Sequence, residues 1–244
     1  MNHVIRGLTF DFWSTLYAPV REPGQGALPL RLASLRRLLA GYGQDPGDAG
    51  IRDAFQLGER AFDAAWLRGD PFTARDRVEA ILKGLKLPSR EALVETAVEE
   101  LEAAGRSPLP LAPGVKEAIP RLSAAGYRLG VVSDAATTPG RILREFLVND
   151  GLMAFLAPNA LSFSDETGHC KPRPQAFQAA LTGLGLAAQE VAHVGDIPRT
   201  DVAGAQAVGM KAIRYAGVDD RPGDPLADAV IYDHRELLDL LPLL

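Results

Sequence analysis

Five side chains in this chain could do chemistry together: Asp11, Ser133, Lys171, Asp196 and Asp201. Asp11 closes the short, partly β-branched run 4–10. Ser133 and Asp134 close the apolar run 127–132, and Asp196 follows the run 191–194 and Gly195. Asp201 comes shortly after Asp196, at the start of a helix, and Lys171 stands in the loop Gly168-His169-Cys170-Lys171-Pro172, just ahead of another. Carboxylates that converge repel one another, and burying them unpaired is costly. A hard divalent cation resolves that conflict. Mg²⁺ takes oxygen ligands, keeps several waters, and is held by one or two carboxylates plus a substrate phosphate. A lysine ammonium and a serine hydroxyl suit the oxygens of a transferring phosphoryl group. A carboxylate can itself attack phosphorus. A single strand-terminal Asp is an ordinary cap or turn former; the joint pattern carries the weight.

These residues must be brought together by the elements that carry them. In open parallel sheets, ligands bind beyond the carboxyl ends of the strands. Strand-like runs at 127–132, 160–163, 191–194, 210–215 and 229–232 alternate with helices at about 115–125, 139–148, 174–184 and 200–208. Pro174 suits the first position of the third helix. Such alternation predicts an α/β fold, a Rossmann-like parallel sheet with crossover helices on both faces, and the first strand should join it. Residues 27 to 105 read differently. Leu28, Leu32, Leu35 and Leu39, then Ile51, Phe55, Phe62 and Trp66, then Val78, Ile81, Leu82 and Leu85, then Leu93, Val94, Ala97, Val98 and Leu101 recur at helical spacing. Ser89 is the expected N-cap of the fourth helix and Gly105 lies just past its end. Four amphipathic helices with short connections predict a small bundle inserted after the first strand. The segment 219–225 reads as a solvated loop between two late strands.

Composition sets outer bounds. The chain has 244 residues, enough for one large domain or two small ones. Its 26 Lys plus Arg against 31 Asp plus Glu give a formal net charge of −5, and its 47% apolar and 23% charged residues are near globular averages, which excludes a mostly disordered chain. No run approaches the roughly 20 apolar residues needed to span a bilayer. The start MNHVIRGLTFDFW lacks a secretory pattern, so a cytoplasmic location is expected. A lone cysteine, Cys170, rules out an internal disulfide and reads as a small buried hydrophobe. His3, His169, His193 and His234 are scattered, which argues against zinc. Mild acidity argues against nucleic acid as a partner. A locally positive pocket for a small anion remains compatible with it.

In order along the chain, the sequence resembles the haloacid dehalogenase-like hydrolase superfamily. Phe10-Asp11-Phe12-Trp13-Ser14-Thr15-Leu16 is similar to its first motif, Val131-Val132-Ser133-Asp134 to its second, Gly168 to Pro174 to its third, and Val194-Gly195-Asp196-Ile197-Pro198-Arg199-Thr200-Asp201 to its acidic fourth. The stretch Leu111-Ala112-Pro113-Gly114-Val115 fits as the approach to the second motif. The resemblance implies a core domain at 1–16 and 108–244 and a helical cap of the C1 type at 17–107. It implies Asp11 as nucleophile, Ser133 and Lys171 on the phosphoryl group, and Asp134 beside the substrate. It also implies Mg²⁺ held by Asp11, the Trp13 backbone carbonyl and Asp196, with Asp201 acting through water or orienting the ligands. The implied substrate is a small phosphorylated molecule, with neither nucleic acid nor membrane as partner.

One position departs from the pattern. Phosphatase branches carry a second Asp two residues after the nucleophile, which protonates the leaving alcohol and later activates water. Here it is Trp13, and an indole N–H is a donor only. General acid–base help is worth about 10²–10⁴-fold, and its loss matters most for poor leaving groups. Three readings stay open: an Mg²⁺-dependent phosphohydrolase with an altered first motif; a 2-haloacid dehalogenase-like hydrolase, whose branch carries an aromatic residue here but lacks the paired metal acids; and a nearly inactive phosphate-binding protein. Asp134 and His169 are candidates for a borrowed acid. Lys83 and Lys86, the cap lysines that a Schiff-base mechanism would need, read as solvated. Arg21 is a candidate anion-binding residue near the start of the insert.

Overall fold

The computed structural model describes residues 4–244; His3 and the first residues of the N-terminal stretch lie outside the described residues. The chain divides into two compact units. The first comprises the residues up to Pro19, Leu109–Asp134 and Arg144–Leu244, and the second comprises Val20–Pro108 and Ala135–Leu143.

The first unit is built on six parallel strands: β1 (Gly7–Phe10), β2 (Arg128–Ser133), β3 (Leu156–Phe163), β4 (Val191–Gly195), β5 (Lys211–Tyr215) and β6 (Ala229–Ile231). Their order across the sheet is β3-β2-β1-β4-β5-β6. β1 therefore pairs on one side with β2, Gly7 opposite Arg128, and on the other with β4, Gly7 opposite Val191. Both β1 and β4 are buried along their whole length, as strands covered on both faces must be. β3 runs longer than the expected 160–163. Its first half contains Pro158 and Asn159, which interrupt the apolar run and are tolerated because β3 is an edge strand.

The helical unit contains α1 (Ala27–Gly41), α2 (Gly47–Leu67), α3 (Ala74–Gly84) and α4 (Glu91–Ala104). Leu35, Leu39, Ile51, Phe55, Val78, Ile81, Leu82, Leu93, Val94, Ala97 and Leu101 form its core, so all four sequence stripes contribute. The stripes overreach at their ends. Leu28 is 52% exposed, and Phe62 and Trp66 are only half-buried. Phe62 instead faces the buried guanidinium of Arg77, which also lies over Phe55 and Phe72 and pairs with Glu59. The expected Ser89 cap is corrected to Arg90, which has extended backbone and offers no side-chain bond to the helix. α3 carries a reciprocal cap: Thr73 accepts from the Asp76 backbone and Asp76 accepts from the Thr73 backbone. Ala135–Leu143 joins this unit through Arg31, which donates to Thr138, and through the Arg141–Glu102 ion pair.

The remaining helices are α5 (Val115–Ala124), α6 (Gly140–Asn149), α7 (Ser164–Thr167), α8 (Pro174–Leu184), α9 (Ala203–Ala207) and α10 (Leu237–Leu240). α8 begins at Pro174 as its ring geometry favours. It lies so close to β3 that a Cβ on Gly183 would sit 1.9 Å from the Asn159 carbonyl oxygen. The expected helix at 200–208 is a wider π-type turn at Pro198–Val202 that runs into α9.

Candidate active site

β2, β1 and β4 are neighbours, so their carboxyl ends bring Ser133, Asp11 and Asp196 to one edge of the sheet. Asp11 extends the strand pairing by one bond, its backbone N–H donating to the Val194 carbonyl over 2.8 Å. Lys171 comes from the loop between α7 and α8. Its backbone N–H donates to Asp134 Oδ1 over 2.9 Å, so Asp134 holds that loop to the end of β2. The Lys171 ammonium, buried, donates to Asp11 Oδ1 over 2.5 Å and to Asp201 Oδ1 over 2.6 Å.

Asp201 sits on the π-type turn Pro198–Val202. Its Oδ1 accepts from Lys171 and from His193 Nε2 at 3.0 Å, and its Oδ2 accepts from the Ile197 backbone N–H at 3.0 Å. An ionised carboxylate only accepts, so His193 donates from Nε2 and its Nδ1 accepts from the Thr9 hydroxyl, 2.9 Å away. Gly195 makes room for this arrangement: a Cβ there would lie 2.3 Å from Asp201 Cγ. Asp11, Asp196 and Asp201 each offer a carboxylate oxygen within 4.8 Å of the others, and all three are buried. At the outer side of this cluster Arg221 Nη1 donates to Asp196 Oδ2 over 3.0 Å.

Burial dominates the electrostatics. It pushes the Asp11 carboxyl up to about 7 against the pull of Lys171, with Asp201 adding to the rise. Burial, then the charges of Asp11 and Asp201, pushes Asp196 up to about 8. Burial acts the same way on Asp201, but Lys171 and His193 overcome it and hold that carboxyl well below its usual range. Burial disfavours the charge on Lys171, yet Asp11, Asp201 and Asp134 hold its ammonium above its ordinary value. Asp11 and Asp201 thus share one buried ammonium, Asp196 pairs with Arg221, and Asp11 and Asp196 remain the two carboxyls whose ionisation burial still disfavours. That is a donor set suited to a hard divalent cation. Ser133 Oγ is buried with no hydrogen-bond partner among the described residues, a polar atom able to meet an incoming oxygen.

Trp13 occupies a tight reversal directly after Asp11. Leu16 and Tyr17 N–H groups donate back to the Phe12 carbonyl, and Ser14 has positive φ (56°). Phe12 stacks on Tyr17 at 4.4 Å, and Tyr17 donates to Asp150. The Trp13 ring meets Phe12 edge-on at 5.0 Å. Cys170 is buried, and burial pushes its thiol up to about 11, which suits a packing role. His169 Nδ1 is buried without a partner among the described residues. Arg21, Lys83 and Lys86 are exposed.

Sequence reasoning missed His193 and Arg221. A histidine in the otherwise apolar run 191–194 was the available signal for the first. Nothing local marks Arg221, whose partner is 25 residues away.

A family model described as haloacid dehalogenase-like hydrolase matches residues 5–209. A phosphoserine phosphatase of Thermus thermophilus is 30% identical over 196 residues, 74% of each chain. A glyceraldehyde 3-phosphate phosphatase of Pyrococcus abyssi is 32% identical over 137 residues, 55% of each. The crystal structure of a 2-haloacid dehalogenase from Pseudomonas syringae superposes with a TM-score of 0.69 at 26% identity, covering 98% of each chain.

Proposed function

Because this chain belongs to the haloacid dehalogenase-like hydrolase family, we propose that it is an Mg²⁺-dependent phosphohydrolase that works through an aspartyl-phosphate on Asp11. The observation that carries this reading is the buried cluster of Asp11, Asp196 and Asp201, with Lys171 paired to the first and the last. The unpartnered Ser133 hydroxyl supports it, as do the phosphatase names of the two relatives.

In the first half-reaction an Asp11 oxygen attacks phosphorus and the bond to the leaving oxygen breaks, its electron pair departing with the leaving group. Lys171 and Ser133 bind the phosphoryl oxygens, and Lys171 favours the ionised form of Asp11. Water then cleaves the acyl phosphate, freeing Asp11 and inorganic phosphate. Asp11, Asp196 and the Trp13 backbone carbonyl would hold Mg²⁺, which supplies positive charge to offset the phosphoryl oxygens. Both oxygens of Asp201 are taken up by protein donors, so it orients Lys171 and the acidic edge. The helical unit is the substrate-selecting cap in this reading.

Trp13 sets the substrate class. With no carboxyl at that position, no proton reaches the leaving oxygen from there, so acyl and aryl phosphates, whose leaving groups are stable anions, are preferred over sugar phosphates. The test is a phosphatase panel with Mg²⁺ that includes acyl, aryl and alkyl phosphates. Turnover that EDTA removes and Mg²⁺ restores is the expected result. Metal-independent halide release from a 2-haloacid would instead establish a dehalogenase. That second reading is favoured by Trp13 and by the Pseudomonas syringae structure.

A further inference from the structure

Asp196 already carries a cation. Arg221 Nη1 lies 3.0 Å from Asp196 Oδ2; the carboxylate side chain is 2% exposed and the guanidinium side chain 47%. Arg221 is on the loop 216–228, between β5 and β6, and that loop is pinned on both sides of it. Before it, Arg214 of β5 donates to Asp220 over 2.6 Å. After it, Gln206 donates to the Leu226 carbonyl, and Lys211 and the Ala212 backbone N–H hold Asp228. Arg221 Nη2 also donates to Asp219 Oδ2 over 3.1 Å. β5 lies next to β4, so these anchors deliver the guanidinium to the end of the neighbouring strand.

A divalent ion on the same carboxylates would meet a full positive charge a few ångströms away. It would also need electron density that Arg221 engages. We propose that Arg221 is a resident counter-cation that competes with Mg²⁺ for Asp196 and so sets the free Mg²⁺ concentration the site requires. The inference rests on the metal reading above. The planar fork suits the task, because it holds Asp196 and Asp219 at once. Released from Asp196, it stays tethered to its own loop by Asp219.

Isothermal titration of Mg²⁺ into the metal-stripped full-length protein, without substrate, tests this in wild type, Arg221→Gln and Arg221→Lys. Removing one positive charge about 5 Å from a divalent ion in a water-like dielectric strengthens binding by about 10-fold, so Arg221→Gln should bind Mg²⁺ that much more tightly. Arg221→Lys, which keeps the charge, should stay close to wild type. In chelator, Arg221→Gln should melt at a lower temperature than wild type, and the rise on adding Mg²⁺ should be larger. Equal or weaker Mg²⁺ binding by Arg221→Gln overturns the inference and leaves the metal reading standing. No Mg²⁺ binding by any of the three proteins overturns both.

Discussion

Among the described residues Asp11 has one ion-pair partner, Lys171, which it shares with Asp201. Its chemistry therefore depends on that lysine remaining charged, and the acids around Lys171 ensure it does. Asp11→Asn keeps the shape and removes the carboxylate proposed to attack phosphorus. Turnover should fall by about 10⁴-fold or more, as when a nucleophile is deleted elsewhere, with an unchanged circular dichroism spectrum. Wild-type activity in that variant would remove Asp11 from the mechanism. Trp13→Asp supplies a proton donor where the chain has none. It should raise kcat/KM on alkyl phosphates by about 10²-fold while changing turnover of aryl phosphates much less. An equal change on both classes would show that Trp13 limits access to the site and that proton transfer is not what it withholds. At this scale Asp11, Ser133, Lys171, Asp196 and Asp201 were legible because each follows or precedes a recognisable element. His193 and Arg221 were not, because their roles depend on which strands lie side by side. The fate of Asp134 was half-legible: its place at the end of β2 was evident, but its bond to the Lys171 backbone was not.

The site is held by the ends of β1, β2 and β4 and by the turn that brings Asp201 close to Asp196. Gly195 is the tightest point of that assembly. A methyl there overlaps the Asp201 carboxylate, so Gly195→Ala should displace Asp201 and with it one partner of Lys171. We expect a stability loss of about 1–3 kcal/mol in urea unfolding, the usual cost of overpacking, together with a marked fall in kcat. Unchanged kcat would mean that the Asp201–Lys171 contact is not needed for turnover. Periodicity found the helices well because their stripes are long; α8 at Pro174–Leu184 coincides with its sequence reading. It found β3 badly because Pro158 and Asn159 sit inside the strand. It also assigned 219–225 to solvent. Polar composition is what a surface loop shows, and also what a loop shows when it carries an ion pair to a buried carboxylate.

Two buried histidines give the whole molecule an acid-side sensitivity. His234 donates from Nδ1 to the Pro113 carbonyl at 3.0 Å, and its ring lies against Tyr215. Burial pushes it down to about 4, and burial lowers His193 as well. The unfolded chain binds these protons near pH 6.5 and the folded protein resists them. The stability they contribute is therefore present above about pH 6.5 and falls away on the acid side; for His234 the loss extends to about pH 4 and amounts to about 3 kcal/mol. Urea midpoints across that window should fall steeply in wild type and less steeply in His234→Phe. At the other extreme of charge, Mg²⁺ at about 100-fold its Kd should raise Tm by about 5–10 °C, because only the folded chain gathers the acids. The sheet order carries one more consequence, for how the enzyme is made. β1 precedes both of its partners in the chain, which are synthesised only later, from Arg128 and from Val191. The helical unit, whose pairings are mostly between nearby helices, can form long before then. β1 therefore gains its first strand partner only after α1 to α4 have been made, and its second later still. A chain truncated before β4 keeps Asp11 but lacks Asp196 and Asp201, so on the mechanism proposed above it should fold its helices and hydrolyse nothing.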